Sequence, residues 1–220
     1  MPKKRSRRAR LGRFAYQVKI SLVGAKPPIW RRLLVKDNTD LHRLHLVIQD
    51  AMGWQNCHLY QFEIDETRYT AFFDDGFVAD DETPASSVRL GDLSLEEGDS
   101  FLYNYDFGDN WYHECEIEQV APVERGAEYP RCLAGRRACP PEDCGGIYGY
   151  DSMLSALRSR SHPDRKHWLE WIGPSWDAER FDQHATDDFI RAAHSGRRNK
   201  LSRLAAQSVT WHPGPRSKMR

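Results

Sequence analysis

Apolar and polar positions trade places at two different periods along this chain, and the changes of period mark its elements. In "YQVKISLVG" (16–24) they alternate, which puts Val18, Ile20 and Leu22 on one face and predicts a strand. Pro27 and Pro28 interrupt, and Ile29 to Val35 predict a second strand, hairpin-paired with the first. The helical period takes over in "NTDLHRLHLVIQDAMGW" (38–54), where Leu41, Leu44, Val47, Ile48, Ala51 and Met52 form one stripe. Thr39 or Asp40 is placed to cap its start and Gly53 to close its last turn.

Alternation returns in "HLYQFEI" (58–64), followed by "TRYTAFF" (67–73). Further on, "SFLYNYDF" and "WYHECEIEQV" flank "GDN" (108–110), the pattern of a β-hairpin. The second of these strands sorts by face. Trp111, His113, Cys115 and Ile117 share one side; Tyr112, Glu114, Glu116 and Glu118 share the other. Glutamates belong in water, so His113 and Cys115 turn inward. Beyond residue 146 the pattern is helical: one stretch holds Met153, Leu154 and Leu157, and "DRKHWLEWI" makes another. A third, "TDDFIRAAH", offers Thr186 as a cap with Asp187 and Asp188 in the first turn. Strands early, one early helix and a helical C-terminal part predict an α+β fold on a mixed or antiparallel sheet.

Charge changes the picture at the ends. The 220 residues hold 32 Lys/Arg and 32 Asp/Glu, but residues 1–13 carry seven bases and residues 191–220 eight, with no acid in either. Residues 14–190 are left with 17 bases against 32 acids, a net of −15. Runs of like charge repel and stay solvated. The expected organisation is a disordered basic tail (1–13), one α+β domain (14–195) and a flexible basic tail (196–220). Lys3, Lys4, Arg5, Arg7, Arg8, Arg197, Arg198 and Lys200 are candidates for nonspecific contact with nucleic-acid phosphates. No apolar run approaches the roughly 18 residues of a membrane span, and the basic start has no apolar stretch behind it. A cytoplasmic protein is expected.

Five cysteines, an odd number without an export signal, predict reduced thiols rather than a disulfide framework. Cys57 and Cys115 read as ordinary buried thiols. Cys132, Cys139 and Cys144, with His113 as a fourth ligand, have the donor types of a tetrahedral zinc site, though not its usual short paired spacing. A second constellation, Asp106, Asp109, His113, Glu142 and Asp143, has the carboxylates and imidazole of a divalent-metal centre that activates water. Asp74, Asp75, Asp80, Asp81 and Glu82 form an acidic turn-rich stretch without the ligand order of a calcium loop. His42 and His45 lie one helical turn apart and read as a solvated or core-edge pair. Tyr103, Tyr105 and Phe107 share a face and serve as core or, if exposed, as a base-stacking platform.

"ACPPEDCGG" (138–146) joins a stiff half to a loose half. Two prolines restrict φ, two glycines permit reversal or close backbone approach, and Glu142 and Asp143 sit between them. "PPED" also suits the first turn of a helix. "YDFGDNWYHECEIE" followed by "YPRCLAGRRACPPEDCGGIYGY" resembles the plasmid pRiA4b ORF-3-like family, from about Tyr16 to Ala193. That family includes proteins carried by insertion elements and named after resolvases. The resemblance implies a compact α+β domain tied to plasmids and mobile elements, and no activity. The resolvase label finds no catalytic serine with arginine partners here. The function expected is a noncatalytic binding or accessory protein of mobile elements, meeting nucleic acid or a mobile-element protein through its tails. The alternative is a metal-dependent hydrolase, with zinc or another divalent metal as cofactor.

Overall fold

The computed structural model describes residues 12–71, 82–173 and 175–195. The chain is α+β. Eight strands, β1 (Phe14–Leu22), β2 (Trp30–Lys36), β3 (Tyr60–Ile64), β4 (Thr67–Thr70), β5 (Glu82–Pro84), β6 (Ser100–Tyr105), β7 (Trp111–Pro122) and β8 (Arg131–Arg136), form one sheet in the order β5-β4-β3-β6-β7-β1-β2-β8. Every neighbouring pair is antiparallel except β4 with β5, so the sheet is mixed. The four helices are α1 (Leu41–Met52), α2 (Gly146–Arg158), α3 (Arg165–Ile172) and α4 (Gln183–His194).

Register puts the apolar halves of the strands on one face. Phe62 lies opposite Tyr103, Tyr103 opposite His113, Leu22 opposite His113 and Val18 opposite both Leu33 and Ile117. The period-2 pattern of β7 holds throughout its first half: Trp111, His113, Cys115 and Ile117 are buried, while Tyr112, Glu114 and Glu116 are exposed. The outer face is a polar ladder, with Lys19 Nζ 3.5 Å from Glu116 and Arg32 Nη2 2.7 Å from Glu118. Helix α1 covers the inner face with Leu41, Leu44 and Ile48 fully buried, each contributing about 1.5–3 kcal/mol. Asp40 is its N-cap, accepting from Arg43 N at 2.8 Å, and Gly53 closes it at φ 87°. Asp187 docks α4 on β8, accepting from Arg131 Nε and from the Cys132 amide.

Several expected boundaries move, each for a local reason. The β6–β7 loop is the five residues 106–110, not "GDN" alone. Asp106 enters the left-handed region at φ 60° and its Oδ1 caps Gly108 N at 2.9 Å, which ends the strand at Tyr105. Strand β8 has no alternation to announce it in the sequence, since Cys132 is its single fully buried side chain. Helix α2 starts at Gly146 rather than at "PPED", since Asp143 (φ 59°) and Gly145 (φ 90°) leave helical space. Helix α4 starts earlier than Thr186: Asp182 is its cap, accepting from Ala185 N at 3.0 Å. Strand β4 stops at Thr70. The stretch containing Asp74, Asp75, Asp80 and Asp81 lies outside the described residues, as do residues 1–11 and 196–220, whereas Gly12 and Arg13 of the expected N-terminal tail are hydrogen-bonded to the domain. Among the described residues no helix is long and apolar enough to cross a membrane.

Candidate functional site

Three segments remote in sequence meet at one end of the sheet: residues 54–58 after α1, the loop 106–110, and residues 138–146. Segment 54–58 is held from beneath by a buried polar network. Asn56, at φ 55°, donates its backbone N–H to Gln49 Oε1 at 3.2 Å. Its Oδ1 lies 2.6 Å from His45 Nε2, so Nε2 donates, and Nδ1 accepts from the Tyr103 hydroxyl at 2.7 Å. Gln49 Nε2 donates to the same hydroxyl at 3.0 Å. Burial brings the His45 pKa down to about 3, so the ring is neutral. Every member of the network is paired, which fixes one conformation of the segment.

Segment 138–146 is pinned at both ends. Trp54 Nε1 donates to the Pro140 carbonyl at 2.9 Å. Gly145 N donates to Asp109 Oδ2 at 3.1 Å, and a methyl group on Gly146 would collide with the Asp109 carbonyl oxygen. Close backbone approach is therefore the use made of the glycine pair.

Between the pins lies a cluster of carboxylates, an imidazole and a thiol. Glu142, 6% exposed, accepts from the Tyr105 hydroxyl at 2.5 Å and from Gln55 N at 2.9 Å, with Cys57 Sγ at 3.5 Å. Burial and Glu142 both push the Tyr105 pKa up, so its proton stays and donates. Partial desolvation of its sulfur, reinforced by Glu142, also raises the Cys57 pKa although the residue as a whole is exposed. His58 Nε2 sits 3.2 Å from Asp143 Oδ1 and 3.5 Å from Asp106 Oδ2. It is shielded from solvent and reaches hydrogen-bond geometry with neither. Two overlapping triads result, His58–Asp106–Asp143 and Cys57–His58–Glu142, each with ligand atoms within 4.8 Å of one another.

The residues singled out in the sequence divide. Asp106, Glu142 and Asp143 come together here, and Asp109 borders them as a backbone clamp. His113 does not. It is fully buried against Trp54 and Tyr103, with ring centroids 5.4 Å away in each case, and neither ring nitrogen has a hydrogen-bond partner. Burial pulls its pKa down to about 4. The quartet Cys132, Cys139, Cys144 and His113 is not assembled, since no three of them bring ligand atoms within 4.8 Å. Cys132 Sγ faces the Ala134 carbonyl, Cys139 Sγ contacts Met52 Sδ, and Cys144 Sγ faces the Gly146 carbonyl. Burial raises the pKa of all three thiols. Tyr103 and Tyr105 are core and Phe107 alone of that set is exposed, so no stacking platform forms from them.

Cys57 and His58 carry the correction. Cys57 is exposed rather than buried, and His58 was read only as the start of a strand. The one local signal was "QNCH" after a helix-ending glycine: polar residues and chemistry-bearing side chains in a short irregular connection.

A family model described as plasmid pRiA4b ORF-3-like protein matches residues 14–185. Uncharacterized protein y4hQ of Sinorhizobium fredii is 39% identical over 166 residues, 72% of this chain and 81% of that one. The crystal structure of a protein of unknown function, MM3350 from Methanosarcina mazei Go1, matches with a TM-score of 0.72 at 36% identity, covering 79% of this chain and 97% of that one.

Proposed function

The chain belongs to the plasmid pRiA4b ORF-3-like family, and from that premise we propose that it is a noncatalytic binding protein, an accessory of mobile genetic elements, that takes a positively charged group at the 54–58/106–110/138–146 junction. One observation carries this. Asp106 and Glu142 are each more than nine-tenths buried, Asp109 and Asp143 adjoin them, and among the described residues no Lys or Arg is ion-paired to any of the four. Buried carboxylates are costly without a cation, and among the described residues His58 is the one base ion-paired to them, through Asp106 and Asp143.

The hydrolytic alternative asked for Asp109 and His113 beside the other acids. Asp109 is occupied with Gly145 N, and His113 lies in the core. What remains is His58 between Asp106 and Asp143, an arrangement that attracts cations. The basic ends support a nucleic-acid contact as a separate, charge-driven element.

The test is titration with hexaamminecobalt(III), an inert trivalent cation that binds by charge and cannot be ligated. Amide resonances of residues 56–59, 106–110 and 142–145 are expected to shift in the full chain and not in Asp106→Asn/Asp143→Asn. Shifts spread evenly over the acidic surface would refute a localised site.

A further inference from the structure

We infer that the cationic group is a divalent transition-metal ion of the zinc class, ligated by His58 Nε2, Asp106 Oδ2 and Asp143 Oδ1, with the remaining position open to water. The inference rests on the cation-binding reading above and names its ligand. Geometry is the first support. A zinc-class ion bonds nitrogen and oxygen at about 2.0–2.1 Å, which sets donors of a tetrahedron about 3.3–3.4 Å apart. The observed 3.2 and 3.5 Å from Nε2 to the two carboxylates bracket that edge. These separations are long for charge-assisted hydrogen bonds, which run about 2.7–2.9 Å. The orphaned Nε2 supplies the second support: a solvent-shielded nitrogen faces two carboxylates and is hydrogen-bonded to neither, the position a metal ligand would take.

Ligand chemistry narrows the ion. One imidazole with two carboxylates suits zinc, and other first-row ions that accept nitrogen, over magnesium or calcium, which favour an all-oxygen shell. The ligands are individually fixed. Asp106 Oδ1 is held by Gly108 N, leaving Oδ2 to the metal. His58 follows the segment anchored by Asn56, and Asp143 lies between Glu142 and the Gly145 clamp. Glu142 already accepts from the Tyr105 hydroxyl, from Gln55 N and, at 3.5 Å, from Cys57 Sγ, so its oxygens and that thiol are occupied with one another. The Cys57–His58–Glu142 triad is thus the poorer position. With Asp143 half exposed, one coordination site faces solvent. Three segments separated by up to 85 residues would be joined by the ion.

Cobalt(II) is the probe, added to the full chain and competed with zinc. The expected result is the intense visible absorption of four-coordinate cobalt(II), abolished by excess zinc. His58→Gln and Asp143→Asn each lower the affinity by at least about tenfold. Asp143 is on the surface, so that variant folds even if His58→Gln does not. Cys57→Ser leaves the spectrum unchanged. A spectrum identical to the six-coordinate aqua ion, unchanged affinity in Asp143→Asn, or loss of binding in Cys57→Ser would each overturn the assignment. If hexaamminecobalt(III) still shifts the cluster in those cases, the cation-binding function stands and only the ligation falls. Loss of both removes both.

Discussion

Replacing Gly146 with alanine tests whether segment 138–146 is a rigid wall of the cluster or a loop laid against it. Two costs are separable. Gly146 has φ 66°, in the left-handed region, where a side chain costs about 1–2 kcal/mol. Its new methyl group would also meet the Asp109 carbonyl oxygen, backbone that is itself tied down by the Asn110 N to Asp106 O hydrogen bond at 2.6 Å. Forcing atoms into such a contact costs about 1–3 kcal/mol more. Gly53 is the control. It sits at φ 87° with nothing within 4 Å of an added Cβ, so Gly53→Ala reports the backbone cost alone. The expectation is about 1–2 kcal/mol for Gly53→Ala and about 2–5 kcal/mol for Gly146→Ala, read from urea denaturation midpoints at unchanged slope. Gly146→Ala is also expected to weaken cobalt(II) binding, because relief of the collision moves Asp143 away from Asp106. Equal costs within about 0.5 kcal/mol would show that the hairpin loop yields freely, and the case for a preorganised site would fail.

Acid should destabilise the fold through its buried imidazoles. His113 and His45 have folded pKa values of about 4 and about 3, below the ordinary 6.5, so the unfolded chain binds protons first. Their stabilisation is complete above about pH 6.5 and is lost as pH falls toward 4 for His113 and toward 3 for His45. For His113 alone the loss is on the order of 3 kcal/mol, and His113→Met should flatten that slope in denaturation curves between those pH values. Asp187→Ala strips Arg131 and the Cys132 amide of their acceptor and should cost about 2–4 kcal/mol, with α4 amides exchanging before those of β7. A hydrogen-exchange profile with α4 still protected would contradict that. Deleting residues 1–13 and 197–220 should abolish any salt-sensitive DNA mobility shift; a tailless chain that binds equally well would disprove the phosphate-contact role of the ends.

Much of the architecture was legible because it is written at short range. The stripe of α1, the caps at Asp40 and Gly53, and the alternation that sends His113 and Cys115 inward depend on neighbours within a turn or a pleat. Strand β8 escaped because edge pairing, not burial, defines it, and its sequence carries almost no period. The turn at 106–110 was misjudged by two residues because an aspartate that bonds its own loop ends a strand as effectively as a glycine does.

The cluster was half visible. Asp106, Glu142 and Asp143 stand out in the sequence as acids in constrained loops, whereas the pattern points to His113 as their imidazole and the fold supplies His58. Facing inward is a local property, and His113 has it. Meeting a carboxylate is not: it depends on β3 lying beside β6, and on Gly146 letting the late segment settle onto the hairpin. Residue order and hydropathy specify which side of an element turns from water. They say nothing of which loops share an end of the sheet, because strand order and backbone clearance are set by the packing of the whole chain.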